Sequence, residues 1–161
     1  KNINLRIGPD GEAHASAPCG VPPARVDAFV LSKAAWLEKA KAQAARRRAE
    51  EAAPCAVTPA QALALFEAVS GRVFPVFSGV LGGVRPTLKV RRMKTRWGVC
   101  MPGKRQITLN LRLAEKPMAA VEYVVVHEYA HFVHCDHSPA FWAVVARILP
   151  DYKARRALLR A

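Results

Sequence analysis

Residues 127–131 read His-Glu-Tyr-Ala-His, two histidines four positions apart with a glutamate directly after the first. On an α-helix, positions i and i+4 share a face, so His127 and His131 can point imidazole nitrogens at one ion. Glu128 is turned about 100° from His127. Its carboxylate then sits beside the ion, where it can take a proton from water and pass it to a leaving group. Two helical histidines can also be ordinary polar residues. Here the preceding stretch 121–126 reads as buried. Two imidazoles and a carboxylate would be costly there without a partner such as a metal.

Four candidates for a third ligand follow: His134, Cys135, Asp136 and His137. A continuing helix would carry His134 one turn along the same face, and a single ion rarely takes three ligands spread over two turns. His137 has the spacing of the HExxHxxGxxH pattern, in which the helix ends and the chain folds back to complete a tetrahedron. Ser138-Pro139 opens a new helix immediately behind it, which predicts a reversal between 132 and 137. We expect Zn2+ on His127, His131 and His137, with a fourth position open for water. His134, standing where that pattern has glycine, is read as supporting a ligand or facing the substrate. Arg96, on a predicted strand near the helix, can stabilise an oxyanion, grip an anionic group or make a structural ion pair. Tyr123, Tyr129 and Tyr152 are further candidate oxyanion donors.

These residues need elements to position them. Met118 to about Cys135 reads as one helix; its run Val124-Val125-Val126 favours burial over intrinsic helicity. Ser138-Pro139 starts the next helix, Pro150 ends it, and Asp151 caps a last basic helix with Arg155, Arg156 and Arg160. Upstream, Leu88 and Val90 alternate with cations, Trp97–Met101 is a second run, and Ile107, Leu109, Leu111 and Leu113 alternate cleanly, predicting strands within 87–113. Thr58, Pro59 and Gln61 form a capping-box start, for a helix that Gly71 and Pro75 should weaken or kink. At the beginning, Ile3, Leu5 and Ile7 with the Pro9-Asp10-Gly11 turn predict a β-hairpin. Pro22-Pro23 opens a long helix with Val26, Phe29, Val30, Trp36 and Leu37 on one stripe.

The chain has 161 residues, 52% of them apolar and 23% charged, enough to bury a core and against disorder of the whole chain. Its net charge is +13. Ten Lys/Arg fall between 85 and 116 against one acid, Glu115. That sheet face suggests a polyanion or nucleic-acid partner, or merely a solvated surface. No apolar run reaches the ~18 residues of a membrane span, so no membrane partner is expected. Cys19, Cys55, Cys100 and Cys135 show no CxxC spacing, against a zinc ribbon, and predict reduced, mostly buried thiols in a cytoplasmic protein.

The stretches TRWGVC (95–100), ITLNLRL (107–113), VEYVVVHEYAH (121–131), HSPAFW (137–142) and PDYKARR (150–156) resemble the YgjP-like metallopeptidase domain, a relative of SprT-like zincins. The opening hairpin and APCGVPPARVDAFVLSKAAWLEK are also similar to that family; 46–86 matches its pattern least. The resemblance implies zinc on His127, His131 and His137 and Glu128 as catalytic base. We expect an α+β, zincin-like single domain over 1–161: a small β-sheet, a central HExxH helix and flanking helices. Residues 1–45 would form the N-terminal hairpin and helix, and 87–161 the catalytic part. The expected function is zinc-dependent hydrolysis of a peptide or protein substrate lying on an exposed sheet edge, 106–113 or 87–93. The rival readings are a metal-dependent nucleoside-triphosphate pyrophosphatase, or other phosphoanhydride hydrolase, and a nucleic-acid-associated protein.

Overall fold

A computed structural model of the chain describes residues 2–8 and 11–159. Pro9 and Asp10 of the expected turn and Arg160 of the expected last helix lie outside them, as do the side chains of 47 and 50–52. The chain forms two compact units, Lys1–Pro54 and Cys55–Ala161.

In the first unit, the alternating segments pair as the predicted antiparallel hairpin, β1 (Asn4–Ile7) with β2 (Ala13–Ser16), in the register Leu5 opposite Ala15. Gly11 has φ +89°, which suits glycine alone among common residues, and its N–H closes the turn on the Gly8 carbonyl at 3.0 Å. The long helix expected after Pro22 is two, α1 (Pro23–Ser32) and α2 (Ala34–Ala52). The break falls at Lys33, with φ −107° and ψ 15°. Beside it the Ser32 hydroxyl donates to the Phe29 carbonyl at 2.7 Å, a local bond that competes with the helical ladder. The predicted apolar stripe is half-buried at Val26, Phe29, Val30 and Leu37, and only Trp36 of it is exposed, at 47%. No described side chain of this unit is fully buried.

The second unit holds the core. The Thr58 capping box forms as read, its side chain accepting from the Gln61 N–H while Gln61 answers the Thr58 N–H at 2.9 Å. Helix α3 (Pro59–Phe77) carries Gly71 and Pro75 within it, and Val73 and Phe77 anchor its last turns in the core. Three strands follow, β3 (Thr87–Arg91), β4 (Gly98–Met101) and β5 (Gln106–Asn110). Their order is β3-β5-β4, with β3 parallel and β4 antiparallel to β5. Residues 106–110 therefore form the middle strand and offer no free edge, correcting that part of the expectation; β3 and β4 are the edges. The alternation through Leu113 also overran the strand. At Asn110 the side chain accepts from the Arg112 N–H at 3.2 Å and turns 111–115 into a 3-10 helix that still buries Leu113.

Helix α4 (Met118–Ala130) is buried on almost every side, including Val124, Val125 and Val126, and it is shorter than the predicted span to Cys135. It packs with Phe66 and Val69 of α3, Ile107 and Leu109 of β5, and Phe141 and Val145 of α5 (Pro139–Ile148) in one cluster. Asp151 does not cap α6 (Tyr152–Ala157); both its carboxylate oxygens instead accept from Arg155 Nε, at 2.8 and 2.9 Å. The cysteines are free but not buried: Cys19 and Cys135 are exposed, Cys55 and Cys100 partly so. The two units thus give an α+β fold with small sheets and the HExxH helix at the heart of the core. Among the described residues, no helix is long and apolar enough to cross a membrane.

Candidate metal centre

Helix α4 carries His127 and Glu128 on its last turn, and His131 closes it as the C-cap. The 132–137 stretch reverses the chain without a glycine. His134 does this with no left-handed backbone, since Arg105 is the sole non-glycine with positive φ among the described residues. Ser138 then caps α5 by accepting from the Phe141 N–H, fixing His137 at the mouth of the turn.

The outcome is convergence. Ligand nitrogens of His127, His131 and His137 all lie within 4.8 Å of one another, and His137 Nε2 is 3.0 Å from His127 Nε2. Phe141 packs within 4.9 Å of all three imidazoles, centroid to centroid, and forms the apolar floor beneath them. Burial, aided by the neighbouring imidazoles, pulls the His127 pKa down to about 3, and burial lowers that of His131 too. Both stay neutral, the form that binds metals. His127 Nδ1 is buried with no hydrogen-bond partner among the described residues, while His131 Nδ1 donates to the His134 carbonyl at 3.2 Å. Three imidazoles meeting at one point fit a divalent transition-metal ion.

Glu128 is outside that set. It is 5% exposed, and burial pushes its carboxyl up to about 7, against the opposing pull of a Cys100 N–H hydrogen bond and the Arg96 charge. Strand β4 covers it closely at Gly98. A family model for the YgjP-like metallopeptidase domain matches residues 1–72 and 66–161, running through the 46–86 stretch whose motifs resemble it least. The chain belongs to this family. No curated protein matches it. Among solved structures, the metallopeptidase zymogen abylysin of Pyrococcus abyssi is similar over 56% of this chain and 90% of its own, at 22% identity and a TM-score of 0.47. The metallopeptidase zymogen jannalysin of Methanocaldococcus jannaschii is similar over 60% of this chain and 97% of its own, at 12% identity and a TM-score of 0.48.

The remaining candidates of this YgjP-like chain fall into place around the triad. The His134 ring is not among the converging ligands, and its carbonyl is the group that meets His131. Arg96 is exposed on the 93–97 loop, within electrostatic reach of Glu128. Tyr129 points away, its hydroxyl 2.6 Å from Ser70 in the core. Tyr123 packs beside His127 at 5.8 Å, and Tyr152 stacks on Trp142 at 5.4 Å.

Sequence reasoning missed Asn110. Almost fully buried, it donates to the Met93 and Arg96 carbonyls at 2.7 and 2.8 Å and so shapes the loop that leads to Gly98. An amide at the end of an alternating strand was the available signal. The basic sheet is partly neutralised: Arg85 pairs with Glu67 at 2.9 Å, Arg112 approaches Glu115 at 3.8 Å, and Lys116 lies over the Trp97 ring.

Proposed function

We propose that the protein is a zinc-dependent peptide hydrolase in which His127, His131 and His137 hold the ion and Glu128 is the general base. The supporting observation is the convergence of three imidazoles with a buried carboxylate on the same helical turn. Zinc bound there supplies a Lewis acid for the scissile carbonyl and lowers the pKa of water. Glu128 takes the proton of the attacking water and returns it to the departing amine nitrogen. The Cys100 N–H orients its carboxylate. The His134 carbonyl fixes which nitrogen of His131 carries hydrogen. Strand β4 has an unpaired edge and passes directly over Glu128, so an extended peptide adding to that edge would bring its carbonyl to the site.

The family match runs through both units, which supports reading 1–161 as one functional domain. Free cysteines suit the reducing cytoplasm. The test is a screen of peptides and nucleoside triphosphates against zinc-loaded protein, with Glu128→Gln as control. Peptide cleavage absent from a variant that keeps its zinc is the expected result. Pyrophosphate release from nucleoside triphosphates, with every peptide intact, would move the reading to phosphoanhydride hydrolysis.

A further inference from the structure

A pocket of about 420 Å³ is lined by Trp142 of α5 and by Tyr152, Lys153, Arg156 and Ala157 at α6. Trp142 links it to the histidine triad. Its ring lies 5.8 Å from both the His127 and the His137 rings, and it stacks on Tyr152 with planes 19° apart. The Arg156 guanidinium sits over the same indole at 5.6 Å.

The charges are sorted by their partners. Tyr152, Lys153 and Arg156 line the pocket, whereas Arg155 does not. Arg155 is neutralised by Asp151 and, through Nη1, by Glu122 at 2.7 Å. Arg156 and Lys153 make no ion pair among the described residues, and no acid lines the pocket. Two cations therefore face a cavity walled by aromatic rings, next to the metal centre. A guanidinium lying over an indole face can still turn N–H groups toward a ligand, and its planar fork matches a carboxylate.

We propose that this pocket is a specificity site for a carboxylate on the substrate, with Arg156 as its main partner and Lys153 as the supporting charge. The proposal rests on the peptide-hydrolase reading. Trp142 packs against both His127 and His137, so a group held beside it belongs to a residue near the scissile bond. The carboxylate is an Asp or Glu side chain or a free C-terminus, and the experiment separates these.

Binding is measured first, by calorimetry on zinc-loaded protein. The probes are blocked pentapeptides carrying Glu or Gln, the Gln peptide with a free C-terminus, and inorganic phosphate. The Glu peptide or the free-acid peptide should bind ~10–100-fold more tightly than the blocked Gln peptide, the range expected for hydrogen bonds to a charged group. Arg156→Gln should erase that preference and leave zinc content unchanged; Arg156→Lys should restore part of it. Whichever acid binds names the source. Equal binding of acidic and neutral peptides, a preference that survives Arg156→Gln, or phosphate bound more tightly than every carboxylate would overturn the proposal. Cleavage of the same peptides is scored separately, so a binding preference without hydrolysis would sink the hydrolase reading alone.

Discussion

Gly98 and Glu128 are built against each other: a Cβ placed on Gly98 would lie 2.5 Å from Glu128 Oε1 and 2.7 Å from its Cγ. Real Cβ atoms do not approach so closely, and Glu128, almost fully buried, has little room to retreat. Gly98→Ala should therefore displace the carboxylate or the strand above it. Displacement of a catalytic group by about 1 Å can cost ~10²-fold in rate. We expect that loss in peptide cleavage with zinc content unchanged, read from kcat and elemental analysis. Full activity would show that the carboxylate need not be where it is.

Glu128→Gln should change how stability depends on pH in chelated, metal-free protein. Burial raises the Glu128 carboxyl from the ordinary 4.5 to about 7, so between those values the folded state holds a proton that the unfolded chain has released. The stability from this group is complete below about 4.5 and is lost as pH rises through about 7. Glutamine has no such loss. The variant should gain on the parent between pH 5 and pH 8, by at most on the order of 3 kcal/mol, measured by urea unfolding. A parallel pH dependence of the two proteins would contradict a carboxyl raised by burial.

His137→Ala should lower the bound zinc from about one per chain, because three imidazoles leave one site for water and two leave the ion loosely held. Thermal shift gives a second reading. Zinc at 100 times its Kd stabilises a folded protein by ~2.7 kcal/mol, and the variant should lose most of that gain. Unchanged zinc affinity would remove His137 from the ligand set.

Asn110→Ala should destabilise the protein by ~2–4 kcal/mol, since groups of Met93, Arg96 and Arg112 lose their partner in or near the core. Activity per folded molecule should fall as well, because the 93–97 loop that leads into Gly98 loses its anchor. Denaturant unfolding separates the two effects. A loss below ~1 kcal/mol would mean that water takes over these bonds.

The convergence of the three histidines was legible because helical spacing is local: i and i+4 fix His127 and His131, and the Ser138-Pro139 start places His137 at the end of a reversal. Glu128's surroundings were not legible. They depend on β4 crossing α4, and nothing near residue 98 announces residue 128. Sheet order was hidden for the same reason, since the parallel pairing of β3 with β5 puts the cleanest alternating segment in the middle rather than at an edge. Element ends were misread where a polar side chain helped to decide them. Ser32 breaks the first helix by bonding Phe29, and Asn110 ends β5 by bonding Arg112.

The bond from His131 Nδ1 to the His134 carbonyl assigns the imidazole tautomer to the main chain. A carbonyl only accepts, so Nδ1 must carry the hydrogen and Nε2 keeps its lone pair. Every amino acid presents that same oxygen. Position 134 can thus vary in side chain while the tautomer of His131 stays the same, and what must be preserved there is the path of the backbone.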